Sequence, residues 1–213
     1  DQQLAGIEGP GQDVAPGIRD LTHLLWCSID NDDSRDLDQL TACEPLPSSG
    51  VRLWVAVADV DALVKPLTPI DDHALTNTTS VYTSARIFPM LPERLCTDLT
   101  SLNPDQERLA VVTELVFHAD AALAGSAVYR ARVRNRAQLA YDAVSAWIDD
   151  VGPLPEAAAA VPGLDAQLRA QDTLAQALRQ RRHARGSLDL ETLQPRALFE
   201  GERVVDIRQQ VQN

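Results

Sequence analysis

Five aspartates, Asp30, Asp32, Asp33, Asp36 and Asp38, fall within nine residues of the stretch 29–40, with Arg35 the one cation among them. Carboxylates gathered at short range repel one another, so each resists ionisation unless a cation neutralises the group. Sites rich in carboxylate oxygen suit magnesium, manganese or calcium. A solvated acidic loop is the other reading, because short acidic runs are commonly just wet. A calcium EF-hand does not fit. Counted from Asp30 or Asp32, the twelfth position is Thr41 or Cys43 rather than a glutamate, and neither frame has glycine at its sixth. Hydrolysis by metal-activated water is the best use for such a cluster.

Other chemistries are set aside by pattern. His23, His73, His118 and His183 form no His-Glu-x-x-His pair, and neither a Gly-x-x-x-x-Gly-Lys phosphate loop nor a Gly-x-Ser-x-Gly elbow occurs. Cys27, Cys43 and Cys96 are odd in number, widely spaced and without a CxxC pair, which argues against a disulfide framework and a zinc site. Hydrophobic content of 45% and charged content of 23% describe an ordinary globular chain. No apolar run approaches a membrane span, and residues 1–4 lack a leader's basic and apolar regions, so a cytoplasmic location is expected. A net charge of −12 is awkward for a nucleic-acid binder, although the distribution of charge matters more than its sum.

The elements that must position the aspartates are legible from punctuation and period. Residues 1–22, with Gly6, Gly9, Pro10, Gly11, Pro16 and Gly17, read as an extended linker from a preceding module. A strand over about 24–29 and a return strand over 40–44 bracket the acidic loop. Residues 53–58 form an apolar run expected to be a strand buried on both faces, ending at Asp59, which reads as a loop or capping aspartate or as a further acid at a strand end. Thr68 and Pro69 open a helix to about Asn77, with Asp71 and Asp72 in its first turn. A short helix is expected after Pro92.

Strands are expected over 109–117 and 127–136, the second alternating strictly. That places Arg130, Arg132, Arg134 and Arg136 on one face at about 6 to 7 Å intervals. Such a stripe could follow the phosphates of a single strand, or it could be a solvent face paired with nearby acids. Helices follow over 139–149, with Tyr141, Val144 and Ile148 as a core stripe, and over 164–185, stopped by Gly186. Residues 196–199 and 203–207 read as a hairpin.

Taken together, Ile29-Asp30 through Ser34-Arg35-Asp36-Leu37-Asp38, Leu53-Trp54-Val55-Ala56-Val57-Ala58-Asp59-Val60, Thr79-Ser80-Val81-Tyr82, Pro89-Met90-Leu91-Pro92-Glu93, Ser101-Leu102-Asn103-Pro104 and Arg136-Ala137-Gln138-Leu139-Ala140-Tyr141 resemble the ribonuclease II and ribonuclease R family, over roughly residues 22–213. The resemblance implies an α+β fold with a mixed, largely antiparallel sheet flanked by helices, residues 23–213 being the first part of the catalytic domain. It implies a hydrolytic exoribonuclease working from the 3′ end of single-stranded RNA and releasing nucleoside 5′-monophosphates, with magnesium, or manganese, at the scissile linkage. Asp30, Asp36 and Asp38 match three of the family's four acids. At the fourth this chain has Gln39, a neutral carbonyl on a longer side chain, so weaker metal binding and reduced activity are expected, and a non-catalytic RNA-binding or regulatory relative is the alternative. Tyr82 matches the tyrosine that stacks on the terminal nucleotide. The resemblance also implies that the rest of the catalytic domain and the flanking RNA-binding modules lie outside this sequence.

Overall fold

The computed structural model describes residues 2–11, 17–47, 49–83, 86–188, 194–201 and 203–210. In chain order the elements are α1 (Gln2–Ala5), β1 (Arg19–Asp20), β2 (Cys27–Asp30), β3 (Gln39–Pro45), β4 (Val51–Ala58), α2 (Pro69–Asn77), β5 (Val81–Tyr82) and β6 (Ile87–Phe88). A π-helical turn over Leu95–Leu99 leads to β7 (Glu107–Phe117), β8 (Leu123–Arg134), β9 (Ala137–Ala140), α3 (Tyr141–Ile148), α4 (Glu156–Ala159), α5 (Leu164–Ala184), β10 (Gln194–Glu200) and β11 (Arg203–Gln210). Seven strands form one sheet in the order β1-β8-β7-β4-β3-β2-β9. Its interior pairs are antiparallel, and the two outermost pairs, β1 with β8 and β2 with β9, are parallel. The expected mixed, largely antiparallel sheet flanked by helices is what forms.

Alternation assigns the two faces. Even-numbered residues of β4 turn toward a core of Trp26, Leu37, Leu40, Trp54, Ala56 and Val112, closed over by the loops that carry Leu37 and Leu102. Odd-numbered residues turn toward α5, whose Leu174 packs with Phe117 and with the half-buried Val51, Leu53 and Leu115. Burial of β4 on both faces therefore does not reach its end: Val57 is 49% exposed and is not among the residues packed with Leu174. Gly50, where β4 begins, permits this packing, since a Cβ there would collide with the Phe117 carbonyl oxygen on the neighbouring strand. At the β9 edge, Cys27, Leu139, Val144, Ala158, Leu164 and Leu168 make a second core beneath α3, α4 and α5.

Several boundaries differ from expectation. Residues 2–11 are docked: Leu4 and Ile7 join a third core with Val64, Ile70, Leu91, Leu95 and Leu99. Gln3 Oε1 accepts the Ile70 N–H at 2.9 Å, capping α2, whereas the Thr68 hydroxyl donates to the Lys65 carbonyl instead. The glycine and proline punctuation of this segment concealed two apolar residues sufficient to dock it. Leu139 belongs to strand β9, and α3 begins only at Tyr141. The alternating segment 127–136 is broken at Asn135, which is fully buried and donates to Ser28 Oγ at 3.1 Å and to the Leu102 carbonyl at 2.9 Å. Helix α5 ends as expected at Gly186, whose φ of 89° closes the helix with an N–H from Ser187 to the Arg182 carbonyl. Among the described residues no helix is long and apolar enough to cross a membrane.

Candidate functional site

The aspartate loop is held by the core on one side and by four hydrogen bonds. Leu37 is 2% exposed and packs with Leu40 and Leu102. Burying Leu37 in an extended segment turns its neighbours Asp36 and Asp38 outward. The Leu37 N–H donates to Ser101 Oγ at 3.1 Å, the Leu102 N–H to the Leu37 carbonyl at 2.8 Å, and the Ala58 N–H to the Asp38 carbonyl at 2.9 Å. The Gln138 side chain donates to the Ser34 carbonyl at 3.1 Å. The run Ser101-Leu102 and the polar Gln138 thus fix the backbone that presents the carboxylates.

Asp30 enters from the end of β2, opposite Ala140 of β9. Asp38 feels both Asp30 and Asp36: loss of water around it, then their negative charges, hold its carboxyl above the usual carboxylate range. The three form one electrostatic unit. As oxygen donors of concentrated negative charge they fit a hard divalent cation in chemistry. Among the described residues, however, no three His, Cys, Asp or Glu side chains stand as a closed ligand cluster. Gln39 opens β3 in register with Val57, exposed, beside Asp38 and adding no charge. Asp32 and Asp33 are exposed in the turn before the clamped segment.

Tyr82, on the β5–β6 hairpin, reaches this cluster. Its hydroxyl donates to Asp36 Oδ2 at 2.5 Å while its side chain remains 61% exposed. That bond, then burial, pushes its ionisation up to about 12, because losing the proton would set phenolate against carboxylate. The hairpin base is fastened by the Met90 N–H donating to Ser80 Oγ at 3.0 Å.

A residue that sequence reasoning placed in the core belongs here instead. Tyr141 is 48% exposed, and its hydroxyl is pushed up first by burial and then by the charges of Asp30 and Asp38. Its helical spacing with Val144 and Ile148 suggested a buried stripe. The signal missed was that β9 pairs in parallel with β2, which delivers the residue after Ala140 next to Asp30.

The arginines lie apart from the carboxylates. Strand β8 is separated from β2 by β7, β4 and β3, about 19 Å at ordinary strand spacing. Arg130 Nε lies 2.9 Å from Asp59 and its Nη2 2.6 Å from Asp61; Arg132 is within 4 Å of Asp20 and Glu107; Arg134 is 3.2 Å from Asp105. Arg136 lies beyond the strand, its guanidinium donating to the Thr22 carbonyl. The stripe is an acid-paired face, and Asp59, almost fully buried, is engaged by Arg130. In this way a chain of charge −12 neutralises the three cations of this strand.

The sequence matches the RNB domain family over residues 18–213. It is 35% identical to Ribonuclease R of Escherichia coli over its whole length, covering 26% of that protein. Among solved structures, Mycoplasma genitalium RNase R in complex with ribose methylated single-stranded RNA superposes with a TM-score of 0.84 at 28% identity, over 93% of this chain and 30% of that one. Yeast Ssd1, described as a pseudonuclease, shares the fold at 14% identity, with a TM-score of 0.64 over 78% of this chain and 19% of that one. The chain therefore spans about a quarter of the length of the curated relatives it matches. With the family matched from residue 18 onward and the sheet, the clamped loop and the hairpin on one scaffold, the chain belongs to the RNB domain family, alongside ribonuclease R.

Proposed function

We propose that this chain supplies the carboxylate part of a metal-dependent exoribonuclease that shortens single-stranded RNA from its 3′ end to nucleoside 5′-monophosphates. The observation that carries the reading is the joining of Tyr82 to Asp36 within the shared field of Asp30, Asp36 and Asp38. An exposed aromatic ring beside a cation-attracting carboxylate cluster pairs a base-stacking surface with a site for phosphodiester chemistry. Stacking on an aromatic ring tolerates every base, which suits a degrader without sequence preference.

Asp30, Asp36 and Asp38 would hold magnesium or manganese, with the Gln39 amide oxygen as a neutral fourth donor. A bound divalent cation would supply charge to stabilise the attacked phosphate and acidify water. The chain's own residues orient the rest. Tyr82 stacks the terminal base and anchors its ring through Asp36, Leu37 sets the outward aim of Asp36 and Asp38, and Tyr141, within the field of Asp30 and Asp38, is a hydroxyl that keeps its proton.

A second reading is favoured by Gln39. One fewer carboxylate weakens the attraction for a cation, and a fold does not by itself carry an activity. On that reading the protein is an RNA-binding or regulatory relative with a weakened metal site.

The test uses the full chain with 5′-labelled, 3′-ended single-stranded RNA and magnesium or manganese. Stepwise shortening with monophosphate release, lost in Asp38→Asn while RNA binding persists, supports the enzyme. Tight RNA binding with no nucleotide released at any magnesium or manganese concentration supports the second reading and sinks the first.

A further inference from the structure

The backbone of Asp36 is fixed by its own segment, but its carboxylate is not. The Ser101 hydroxyl clips the chain on both sides of it, donating to the Arg35 carbonyl at 3.2 Å and accepting the Leu37 N–H at 3.1 Å. That leaves the side-chain torsions, which a half-exposed aspartate can turn among several rotamers. The other two acids of the cluster are held locally. Asp30 Oδ1 accepts the N–H of its neighbour Asn31 at 2.7 Å, and Asp38 follows the buried Leu37 with its carbonyl bonded to the Ala58 N–H. Asp36 instead takes its bond from a separate sheet.

The donor is the Tyr82 hydroxyl, 46 residues on, at 2.5 Å from Asp36 Oδ2. An O–H bond of this length to an ionised carboxylate belongs to the strong, charge-assisted class. A carboxylate has two oxygens, so a donor on Oδ2 leaves the lone pairs of Oδ1 for a cation. The donor stands on a firm base. The Met90 N–H donates to Ser80 Oγ at 3.0 Å below the hairpin, and the Thr83 N–H donates to the Arg86 carbonyl at 3.1 Å in its turn. Tyr82 is exposed, so the bond is not a by-product of burying its ring. A group that bonds the far atom of a metal ligand sets that ligand's aim, and losing it costs about 10- to 100-fold in metal affinity.

We infer that Tyr82 is a positioning residue for the cation: its hydroxyl holds Oδ2 of Asp36 so that Oδ1 is presented to a divalent cation shared with Asp30 and Asp38. This rests on the reading of the three aspartates as a cation site. The ring and the hydroxyl then divide the work, the ring meeting a base and the hydroxyl aiming a ligand, and substitution separates them. The opposite arrangement makes a different prediction. A hydroxyl that competed with the cation for the same oxygen would weaken metal binding, and its removal would tighten it.

The experiment is calorimetric titration of magnesium, and separately of manganese, into the full chain without RNA. Tyr82→Phe is expected to bind either cation about 10- to 100-fold more weakly, while its melting temperature in EDTA stays at that of the unmodified protein, as for an exposed substitution. Replacing Tyr82 with 4-aminophenylalanine keeps the ring and returns an N–H donor to the place of the hydroxyl. It is expected to recover most of the lost affinity, which a role in packing alone would not explain. Unchanged or tighter cation binding in Tyr82→Phe overturns the inference and leaves the cation reading standing, tighter binding marking the hydroxyl as a competitor. An equal loss in the phenylalanine and aminophenylalanine proteins also overturns it, because the donor then does not matter. If the unmodified protein takes up neither magnesium nor manganese, the cation reading falls and the inference with it.

Discussion

Gln39→Asp tests the charge logic of the site most directly. Gln39 begins β3 immediately after Asp38, whose carboxyl is already raised by the charges of Asp30 and Asp36. Without a cation the new carboxylate adds repulsion. Two unit charges about 6 Å apart interact by about 0.7 to 2.8 kcal/mol for effective dielectrics between about 80 and 20. Exposure and salt screening reduce that to about 0.5 to 1 kcal/mol. For a chain of this size the metal-free variant should melt about 1 to 4 °C below the parent at low ionic strength, and the gap should close in high salt. With a divalent cation the sign reverses. A tenfold gain in affinity is worth about 1.4 kcal/mol, which under saturating cation appears as added stability. Magnesium should therefore raise the variant's melting temperature by about 3 to 6 °C more than the parent's. Calorimetric titration of magnesium and manganese into both proteins provides the independent affinity. Equal magnesium-induced stabilisation in both, together with no salt-dependent loss in the metal-free variant, would falsify the assignment of Gln39 to a cation site.

Other substitutions probe the surrounding structure. Asp38 has a carboxyl raised in the folded state, so its ionised form opposes folding above the folded pKa, and that penalty is relieved as pH falls through this pKa. Asp38→Asn should accordingly stabilise the cation-free protein near neutral pH, with the gain vanishing in acid, as urea titrations at both pH values will report. Tyr82→Phe should retain RNA affinity because the ring stays, whereas Tyr82→Ala should lose about 5- to 150-fold; equal losses in both would assign the effect to the hydroxyl bond with Asp36. Burial pushes the Cys27 and Cys43 thiols up to about 11 and about 12, so at pH 8 about one part in a thousand or less is thiolate. Both should resist iodoacetamide until urea unfolds the chain, by mass spectrometry. Gly50→Ala drives a methyl group into the Phe117 carbonyl, and a loss of about 2 to 4 kcal/mol in urea unfolding is expected.

Much of the architecture was legible because local signals agreed with the sheet. Thr68-Pro69 opened α2, Gly186 closed α5, and the long alternation before Arg134 became β8. The departures share one cause, contacts between residues far apart in sequence. The docking of residues 2–11 depends on Leu4 and Ile7 meeting Leu91 and Leu95, which no local pattern announces. The break at Asn135 is invisible to periodicity, because burial alternates straight through it from Ala131 to Leu139.

The candidate site divides in the same way. Residue identity and spacing singled out the five aspartates of residues 30–38 and carried the family resemblance, and that resemblance picked Asp30, Asp36 and Asp38 from the five and marked Gln39 as the uncharged position beside them. Those properties are local, since carboxylates close in sequence cannot be far apart in space. Only the tertiary structure decided that Tyr82 bonds to Asp36, that Tyr141 lies within the field of Asp30 and Asp38, and that the arginines of β8 sit across the sheet with acids of their own. Pairing order within the seven-stranded sheet determines the last two, and the separate β5–β6 hairpin brings in Tyr82; both are set by burial of the whole chain rather than by any one segment.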